Sequence, residues 1–187
     1  MEKEILRCVD RLKKGEVILY PTDTIWGIGC NALNAKTIER IYNIKQRNES
    51  KSMLVLLDKA EKIPLYVKKI PLIAWDLITQ TDRPTTFIYP TAQNLPKMII
   101  PADGTIAIRI TKNAFCKRLI QVLDAPLIST SANISGTTPP NTFNEISKEI
   151  IKQMDYIVPE KYADSTDYKP SRIIRFIDDY NFLIIRE

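Results

Sequence analysis

The chain contains no histidine among its 187 residues. This absence excludes the Ser-His-Asp triad, the Cys-His dyad and every metal site built on imidazole. Any general acid or base must therefore be a carboxylate, a lysine, a tyrosine or the substrate itself.

Cysteine is also scarce. Cys8, Cys30 and Cys116 lie far apart and form no CxxC pair, and an odd count without an export signal indicates reduced thiols and argues against zinc. The N-terminal stretch MEKEILRCVDRLKK is too charged for a secretory signal. The longest apolar runs, such as residues 53–57, are far shorter than the roughly 20 residues that span a bilayer. We expect a cytoplasmic protein without membrane contact.

The composition is 44% hydrophobic and 26% charged, which predicts one globular domain over residues 1–187. The net charge is +5 and the pI is near 9.0. Such a charge is compatible with a polyanionic partner such as a nucleotide or RNA, and equally with a mildly basic surface. Charge alone leaves both interpretations open.

Helical and alternating apolar patterns follow one another along the chain. Helical spacing with cap and stop signals predicts helices at residues 2–14, 35–46, 71–80 and 113–123. Thr142-x-x-Glu145 is a capping-box signature that predicts a further helix through about Gln153. Extended segments are predicted at residues 17–20, 53–57, 86–89, 105–110, 126–129, 155–158, 171–176 and 182–186. This interleaving predicts a layered α/β domain of the α+β type, with a largely buried sheet.

Glycine is rare, yet two of the five glycines lie close together in YPTDTIWGIG, residues 20–29. The stretch follows an apolar run but begins with too many polar residues for plain core. We therefore expect it to form a wall of a ligand groove, where Gly27 and Gly29 permit tight packing. The alternative is a turn followed by a bulge.

Four polar stretches lie at or just beyond the ends of predicted elements, where functional residues gather. They are Thr22-Asp23-Thr24, Lys45-Gln46-Arg47 with Lys51, Arg109, and Ser129-Thr130-Ser131-Ala132-Asn133. Taken singly, the first, second and last have plain structural explanations, as a polar turn, a solvated helix C-terminus and a cap or loop.

The spacing within these stretches suggests how they could act together. In extended chain, residues two apart point the same way, so Lys45 with Arg47, and Ser131 with Asn133, can each present two donors to a triphosphate. We expect Lys45 and Arg47 at a loop edge, outside the core. Alternation in residues 105–110 places Arg109 on the face opposite the isoleucines, away from the core.

In combination, the motifs resemble those of the YrdC-like family of threonylcarbamoyl-AMP synthases, over nearly the whole chain. The family's PT(D/E)T-aromatic-GLG stands here as PTDTIWGIG, its KxR as KQR, its TVAVR-like strand as TIAIR, and its STSAN-x-SG as STSANISG. The chain departs from the family's PGPxT at residues 82–86, from its RxPxHP at residues 109–113 and from its PST at residues 170–172.

This resemblance implies a three-layer domain around a twisted mixed sheet with a concave groove. It implies a two-stage reaction in which L-threonine, bicarbonate or carbon dioxide, and ATP give threonylcarbamoyl-adenylate and pyrophosphate. A downstream threonylcarbamoyl-transferase complex then passes the group to a tRNA adenosine. Mg²⁺ is expected to arrive with ATP, because the sequence offers no obvious all-carboxylate cage.

The resemblance also implies roles for individual residues. Those assigned to ATP are Lys45, Arg47, Lys51, Thr105, Ser131, Asn133 and Arg186. Those assigned to threonine are Thr24, Arg109, Ser129 and Ser171. Lys45, Arg47, Ser131 and Asn133 are the residues expected to carry catalysis.

Three other interpretations stay open. A related carbamoyl-transferring module of hydrogenase maturation also adenylates a carbamoyl group, but it belongs to longer chains with cysteine-rich segments. A basic groove could instead serve a non-catalytic, ribosome-associated module that binds tRNA or double-stranded RNA. The intact set of donors favours the enzyme, because an RNA-binding module needs no such set. The third is a degenerate relative that binds a nucleotide for regulation.

Overall fold

The computed structural model describes residues 1–47, 53–163 and 169–187. The α-helices assigned in these ranges are α1 (Glu2–Lys13), α2 (Ala35–Ile44), α3 (Ala74–Gln80), α4 (Ala114–Leu123) and α5 (Lys148–Ile151). Short 3₁₀ turns span Ala60–Leu65, Lys97–Ile99, Phe143–Glu145 and Glu160–Tyr162. Two asparagines cap helices: Asn34 Oδ1 accepts the N–H of Thr37, and Asn113 Oδ1 accepts the N–H of Cys116.

Nine strands in the described ranges form one mixed sheet, which confirms the predicted fold class. They are β1 (Ile18–Tyr20), β2 (Gly27–Asn31), β3 (Leu54–Leu57), β4 (Thr85–Tyr89), β5 (Ile106–Ile110), β6 (Leu127–Ser131), β7 (Tyr156–Ile157), β8 (Arg172–Phe176) and β9 (Phe182–Arg186). Their order across the sheet is β7-β1-β2-β6-β3-β5-β4-β8-β9. The pairs β1/β7, β3/β5 and β4/β8 are parallel, and the other neighbours are antiparallel.

The two faces of the sheet have different covers, because side chains alternate along each strand. On the first face, Tyr20, Leu56 and Leu127 pack against α1 and α4 in a buried cluster. The second face carries the larger apolar cluster, against which α2, α3 and α5 contribute side chains. Helices therefore lie on both sides of the sheet, in the predicted three-layer arrangement.

Further along the first face, polar residues replace apolar ones. Ser129 and Ser131 follow Leu127 in β6, Arg109 follows Ala107 in β5, and these residues line an open cavity. The groove is thus the part of the first face that lies beyond the α1/α4 cluster, and strand alternation determines which side chains enter it.

No helix in the described ranges is long and apolar enough to cross a membrane. Cys8, Cys30 and Cys116 are buried and form no disulfide, in agreement with the expectation of reduced thiols.

The capping-box prediction is wrong. Glu145 does accept hydrogen bonds from the Asn141 N–H and the Thr142 hydroxyl, but these contacts flank a 3₁₀ turn. The chain is extended at Ile146, and α5 begins after Ser147, whose Oγ accepts the N–H of Ile150. A second cap within five residues therefore divides the predicted helix into two short pieces.

The sequence analysis also missed a strand. Residues 27–31 form β2 and pair with both β1 and β6 near the middle of one half of the sheet. Gly29 is required there, because a Cβ on it would lie 2.5 Å from the Ile128 carbonyl oxygen and 2.6 Å from the Tyr20 ring. A Cβ on Gly27 would meet Ser129 Oγ at 3.1 Å and Thr22 Cγ2 at 3.2 Å, so that site is less crowded.

We expect Gly29→Ala to lower the free energy of unfolding by about 1–3 kcal/mol, since the backbone of β6 cannot move aside cheaply. Gly27→Ala is the matched comparison, and its loss of stability is expected to be smaller because side chains can adjust. Urea denaturation of both variants measures the difference. An equal or larger loss for Gly27→Ala would contradict the packing described for Tyr20 and Gly29.

Candidate functional site

The groove contains a cavity of about 280 Å³. Among the described residues, Arg47, Arg109 and Arg186 line it together with hydroxyl side chains, and none of these lining residues is acidic. The lining residues are Thr22, Thr24, Ile25, Trp26, Gly27, Arg47, Met53, Leu54, Thr86, Ile88, Ala107, Arg109, Ser129, Thr130, Ser131, Pro139, Pro170, Ser171, Ile173 and Arg186. Such a surface of cations and hydroxyl donors suits an anionic ligand.

Arg109 is the most buried of the three arginines, with its side chain 4% exposed. Its Nη2 lies 3.1 Å from Asp23 Oδ1, and its Nη1 donates to Thr24 Oγ1 at 3.2 Å. Its Nε–H is buried and has no hydrogen-bond partner in the described part of the chain. A buried donor left without an acceptor is costly, so this edge of the guanidinium is suited to a ligand oxygen.

The hydroxyl of Thr24 is oriented by its neighbour Thr22. Thr22 Oγ1 donates its one proton to the Ile25 carbonyl at 2.8 Å and accepts the Thr24 N–H at 3.0 Å. The 3.0 Å contact between the two hydroxyls must therefore be donated by Thr24. Since Thr24 Oγ1 also accepts from Arg109, its proton and one lone pair are both committed before a ligand binds.

Ser129 and Ser171, which the family resemblance assigns to threonine, both line the cavity. Ser129 is buried on β6. The Ser171 hydroxyl lies 2.8 Å from the Thr86 hydroxyl of β4, and both residues are buried. Thr86, which the sequence analysis did not select, therefore belongs to the same polar wall.

A β-bulge directs Arg186 into the cavity. In β8 and β9, Ile174 pairs with Ile184, but Ile173 pairs with Arg186, so Ile185 is the extra residue. The inserted residue places Arg186 on the cavity face together with Ile173. The guanidinium donates to the Ser171 carbonyl at 2.7 and 3.0 Å, and burial together with the nearby charge of Arg109 lowers the pKa of Arg186.

The KQR stretch does not present two side chains to the cavity. It ends α2 in a Schellman motif, with the Gln46 N–H bonded to the Asn43 carbonyl and the Arg47 N–H bonded to the Tyr42 carbonyl. Gln46 has a left-handed φ of 48°, which turns the chain between its neighbours. Arg47 consequently lines the cavity, while Lys45 does not.

The expectation that Lys45 lies at a loop edge is wrong. Lys45 is 1% exposed, and its Nζ donates to the carbonyls of Ser131 at 2.6 Å and Asn133 at 2.7 Å, with Asn133 Oδ1 at 3.4 Å. The Lys45 carbonyl in turn accepts the Ser135 N–H. Burial lowers the pKa of Lys45 to about 7, and the charge of Arg47 adds to this shift. Lys45 therefore binds the backbone of the STSAN loop, residues 129–133, from a position outside the cavity lining.

The other residues assigned to ATP lie at different distances from the cavity. Ser131 lines it and donates to Asn133 Oδ1 at 2.5 Å. Asn133 is outside the lining, because its amide donates to the Thr137 and Ile134 carbonyls of its own loop. Thr105 is also outside the lining, and both its N–H and its hydroxyl donate to Asp103 Oδ1. Lys51 lies outside the described residues.

Several lining residues escaped the sequence analysis. The apolar lining residue Pro139 is distant in sequence from Pro170 and Ile173, so no single local pattern marks the three together. Thr86 and Ile88 did carry a signal, because they alternate in β4 with the core residues Phe87 and Tyr89.

Together the fold and the cavity define an α/β protein with an arginine-lined groove on one face of a mixed sheet. The family can now be stated. The chain belongs to the Sua5/YciO/YrdC family, whose model, described as "telomere recombination", matches residues 10–187. This confirms the resemblance that the motifs indicated.

Two curated relatives cover most of the chain. It is 35% identical over 175 residues to the threonylcarbamoyl-AMP synthase of Pseudoalteromonas translucida, with 92% of each chain covered. It is 34% identical over 193 residues to the putative threonylcarbamoyl-AMP synthase of Methanocaldococcus jannaschii, covering 100% of this chain and 88% of the relative.

Solved structures share the fold. E. coli YciO superposes with a TM-score of 0.86 at 25% identity, covering 100% of this chain and 90% of YciO. P. abyssi Sua5 complexed with L-threonine superposes with a TM-score of 0.89 at 23% identity. The chain spans 54% of the length of that Sua5, so this likeness establishes the common domain fold alone.

The lowered pKa of Lys45 makes stability depend on pH with a definite sign. Between a folded pKa of about 7 and an unfolded value near 10.4, the unfolded chain binds more protons, so stability rises with pH across this window. The cost of burying the ammonium is fully present below about pH 7. We expect wild type to gain stability relative to Lys45→Met between pH 6.5 and 9, as measured by urea midpoints. Parallel pH profiles would contradict the shift.

Proposed function

We propose that this chain is a threonylcarbamoyl-AMP synthase, which makes threonylcarbamoyl-adenylate and pyrophosphate from L-threonine, bicarbonate or carbon dioxide, and ATP. Family membership and the names of the two curated relatives support this activity. The structural observation that carries it is the buried, unpartnered Nε–H of Arg109 in a cavity lined by three arginines and several hydroxyls.

The threonine carboxylate is proposed to bind at Arg109. A carboxylate can take two parallel hydrogen bonds from one edge of a guanidinium, and the Nε edge still offers a donor. The hydroxyls of Thr24, Ser129 and Ser171 lie in the same lining and can contact the rest of the amino acid. This end of the cavity is the more buried, which strengthens its electrostatic interactions.

The triphosphate is proposed to bind at Arg47, Ser131 and Arg186. The sequence contains no GxxxxGK[ST] loop whose amides could cradle phosphate, so side chains must supply the donors. Arginine matches phosphate oxygens with a planar fork, and Ser131 adds a neutral hydroxyl. Lys45 and Asn133 support this end indirectly, since they hold the loop that carries Ser131.

The chemistry needs no general base from the protein. The neutral amine of threonine adds to carbon dioxide, forming a C–N bond and releasing one proton to solvent. An oxygen of the resulting carbamate anion then attacks the α-phosphorus of ATP. The bond from the α-phosphorus to the bridging oxygen breaks, and pyrophosphate leaves with that oxygen. The protein aligns the two anions and stabilises the charge that moves to pyrophosphate, a role that we assign in this proposal to Arg47 and Arg186, which line the cavity.

Magnesium is proposed to arrive with ATP. Within residues 1–47, 53–163 and 169–187, no carboxylate lines the cavity, and no three acidic or cysteine side chains form a cluster. These residues therefore do not fit a magnesium site of the protein's own. Bound to ATP, Mg²⁺ would neutralise phosphate charge.

The setting of the reaction is also a proposal. Threonylcarbamoyl-adenylate is an activated acyl donor, so we propose that a downstream transferase complex passes its acyl group to a tRNA adenosine. The net charge of +5 is compatible with weak binding of tRNA or double-stranded RNA. We propose a cytoplasmic location, where ATP and tRNA are available.

Pyrophosphate release is expected to require ATP, L-threonine and bicarbonate together, because the nucleophile is the adduct of the last two. A pyrophosphate assay with each component omitted in turn measures this requirement. Equal release with ATP alone would exclude the synthase, and no release under any condition would favour a non-catalytic RNA-binding module. Serine is expected to react more slowly, since one lost methyl contact costs about 1–3 kcal/mol.

Arg109 variants test the threonine end. Arg109→Lys keeps the charge but loses the fork, so we expect weaker threonine binding, and Arg109→Ala should lose roughly 2–5 kcal/mol because the pair is desolvated. ATP binding should change much less. Calorimetric titration with each ligand measures both, and Arg118→Ala, which removes an exposed arginine paired with Glu2, is the control. A selective loss of ATP binding would instead assign Arg109 to the nucleotide.

A further inference from the structure

We propose that Asp23 is a positioning residue. Its carboxylate, which lies beside Nη2 of Arg109, fixes the guanidinium so that the Nε edge of Arg109 faces the threonine carboxylate. The inference rests on the proposed function, and it concerns a residue outside the cavity lining. Asp23 Oδ1 lies 3.1 Å from Arg109 Nη2, while Asp23 itself does not line the cavity.

Asp23 is held at both oxygens. Oδ2 accepts the N–H of Lys112 at 2.9 Å, immediately beyond β5, while Oδ1 faces Arg109. The two side chains are 7% and 4% exposed, respectively. The hydrogen bond to the Lys112 N–H restrains the Asp23 carboxylate next to the strand that carries Arg109, so this carboxylate can restrain the guanidinium in turn.

The contact between Asp23 and Arg109 is chiefly Coulombic. Oδ1 makes no hydrogen bond within the described residues, although it lies within ion-pair distance of Nη2. The attraction therefore depends on the negative charge of Asp23 more than on the direction of a bond. Asp23→Asn keeps the size of the side chain and removes this charge, and its amide oxygen can still accept the Lys112 N–H.

The positive charge of Arg109 needs this partner when the cavity is empty. A buried guanidinium without a counter-charge is expensive. Burial lowers the pKa of Arg186, and the nearby positive charge of Arg109 adds to this shift, so the two cations repel each other. Thr24 contributes a neutral acceptor at Nη1, which cannot balance the charge. Without Asp23, Arg109 would gain by moving towards water, out of the position that receives a carboxylate.

The first test is calorimetric titration of Asp23→Asn with L-threonine and, separately, with ATP. We expect the threonine Kd to rise roughly tenfold or more, and the ATP Kd to change less than about twofold, because Asp23 acts through the threonine end. Asp10→Asn is the matched control, since Asp10 pairs with Lys14 on the exposed surface of α1. Asp23→Glu keeps the charge but displaces it, and is expected to bind threonine with intermediate affinity.

A second readout detects the guanidinium directly. The ¹⁵N–¹H signal of the Arg109 Nε–H, assigned by its disappearance in Arg109→Lys, should shift and exchange faster with water in Asp23→Asn. A merely structural role for Asp23 would lower stability and leave this signal unchanged in the folded protein. If Asp23→Asn does not fold, the same signal is followed in Asp23→Glu, where a smaller shift is expected.

A double-mutant cycle decides whether Asp23 works through Arg109. If it does, Asp23→Asn should cost little threonine affinity in the Arg109→Lys background, so the two effects are not additive. Full additivity would overturn the inference, as would threonine affinity equal to or tighter than wild type in Asp23→Asn. Failure of the wild-type protein to bind threonine at all would instead overturn the proposed function.

Discussion

The arrangement of the groove depends on one constraint, the burial of a positive charge on the open face of the sheet. Arg109 lies on a strand whose other face is apolar core, and its side chain is almost fully buried. Asp23 offsets its charge, Thr24 accepts one N–H, and Thr22 orients Thr24. The PTDT stretch thus supplies the charge partner and the hydrogen-bond acceptor for an arginine on β5, 85 residues beyond Thr24.

A second buried cation, Lys45, is handled differently. Among the described residues no carboxylate pairs with it, and its partners are backbone carbonyls and an amide oxygen. Carbonyl dipoles stabilise an ammonium less than a full negative charge does, which agrees with the lowered pKa of Lys45. Lys45 is therefore a structural tie between the end of α2 and the STSAN loop, while Arg47, two residues on, faces the ligand space.

Sequence periodicity predicted the position of Arg109 because a buried strand keeps its period of two over its whole length. A period of two also predicted that Lys45 and Arg47 point the same way, and this prediction was wrong. The chain turns at Gln46, whose φ is left-handed, and no glycine at this position indicates the turn in the sequence. Strict alternation in β9 would place Arg186 on the same face as Phe182 and Ile184. The bulge at Ile185 moves Arg186 to the opposite face, and no sequence pattern indicates this bulge. Arg186 was assigned to the site only through the resemblance to the family. The rare glycines indicated tight packing but not the strand β2, and Gly29 packs against Tyr20 and β6 rather than a ligand.

The absence of histidine agrees with what the cavity offers. Its lining polar side chains are arginines and hydroxyls, which donate hydrogen bonds and hold charge but do not exchange protons near neutral pH. A reaction between a carbamate anion and a triphosphate needs such groups, because both reactants are already ionised and repel each other. The barrier that the protein must lower is chiefly electrostatic, and donors fixed before the substrates arrive lower it without reorganising. The contacts that hold Arg109, Thr24 and the STSAN loop are all formed within the protein itself. Burying Arg109 and Lys45 is unfavourable in itself, but their contacts hold the groove in place before the substrates bind. The proposed catalysis depends on this preorganisation.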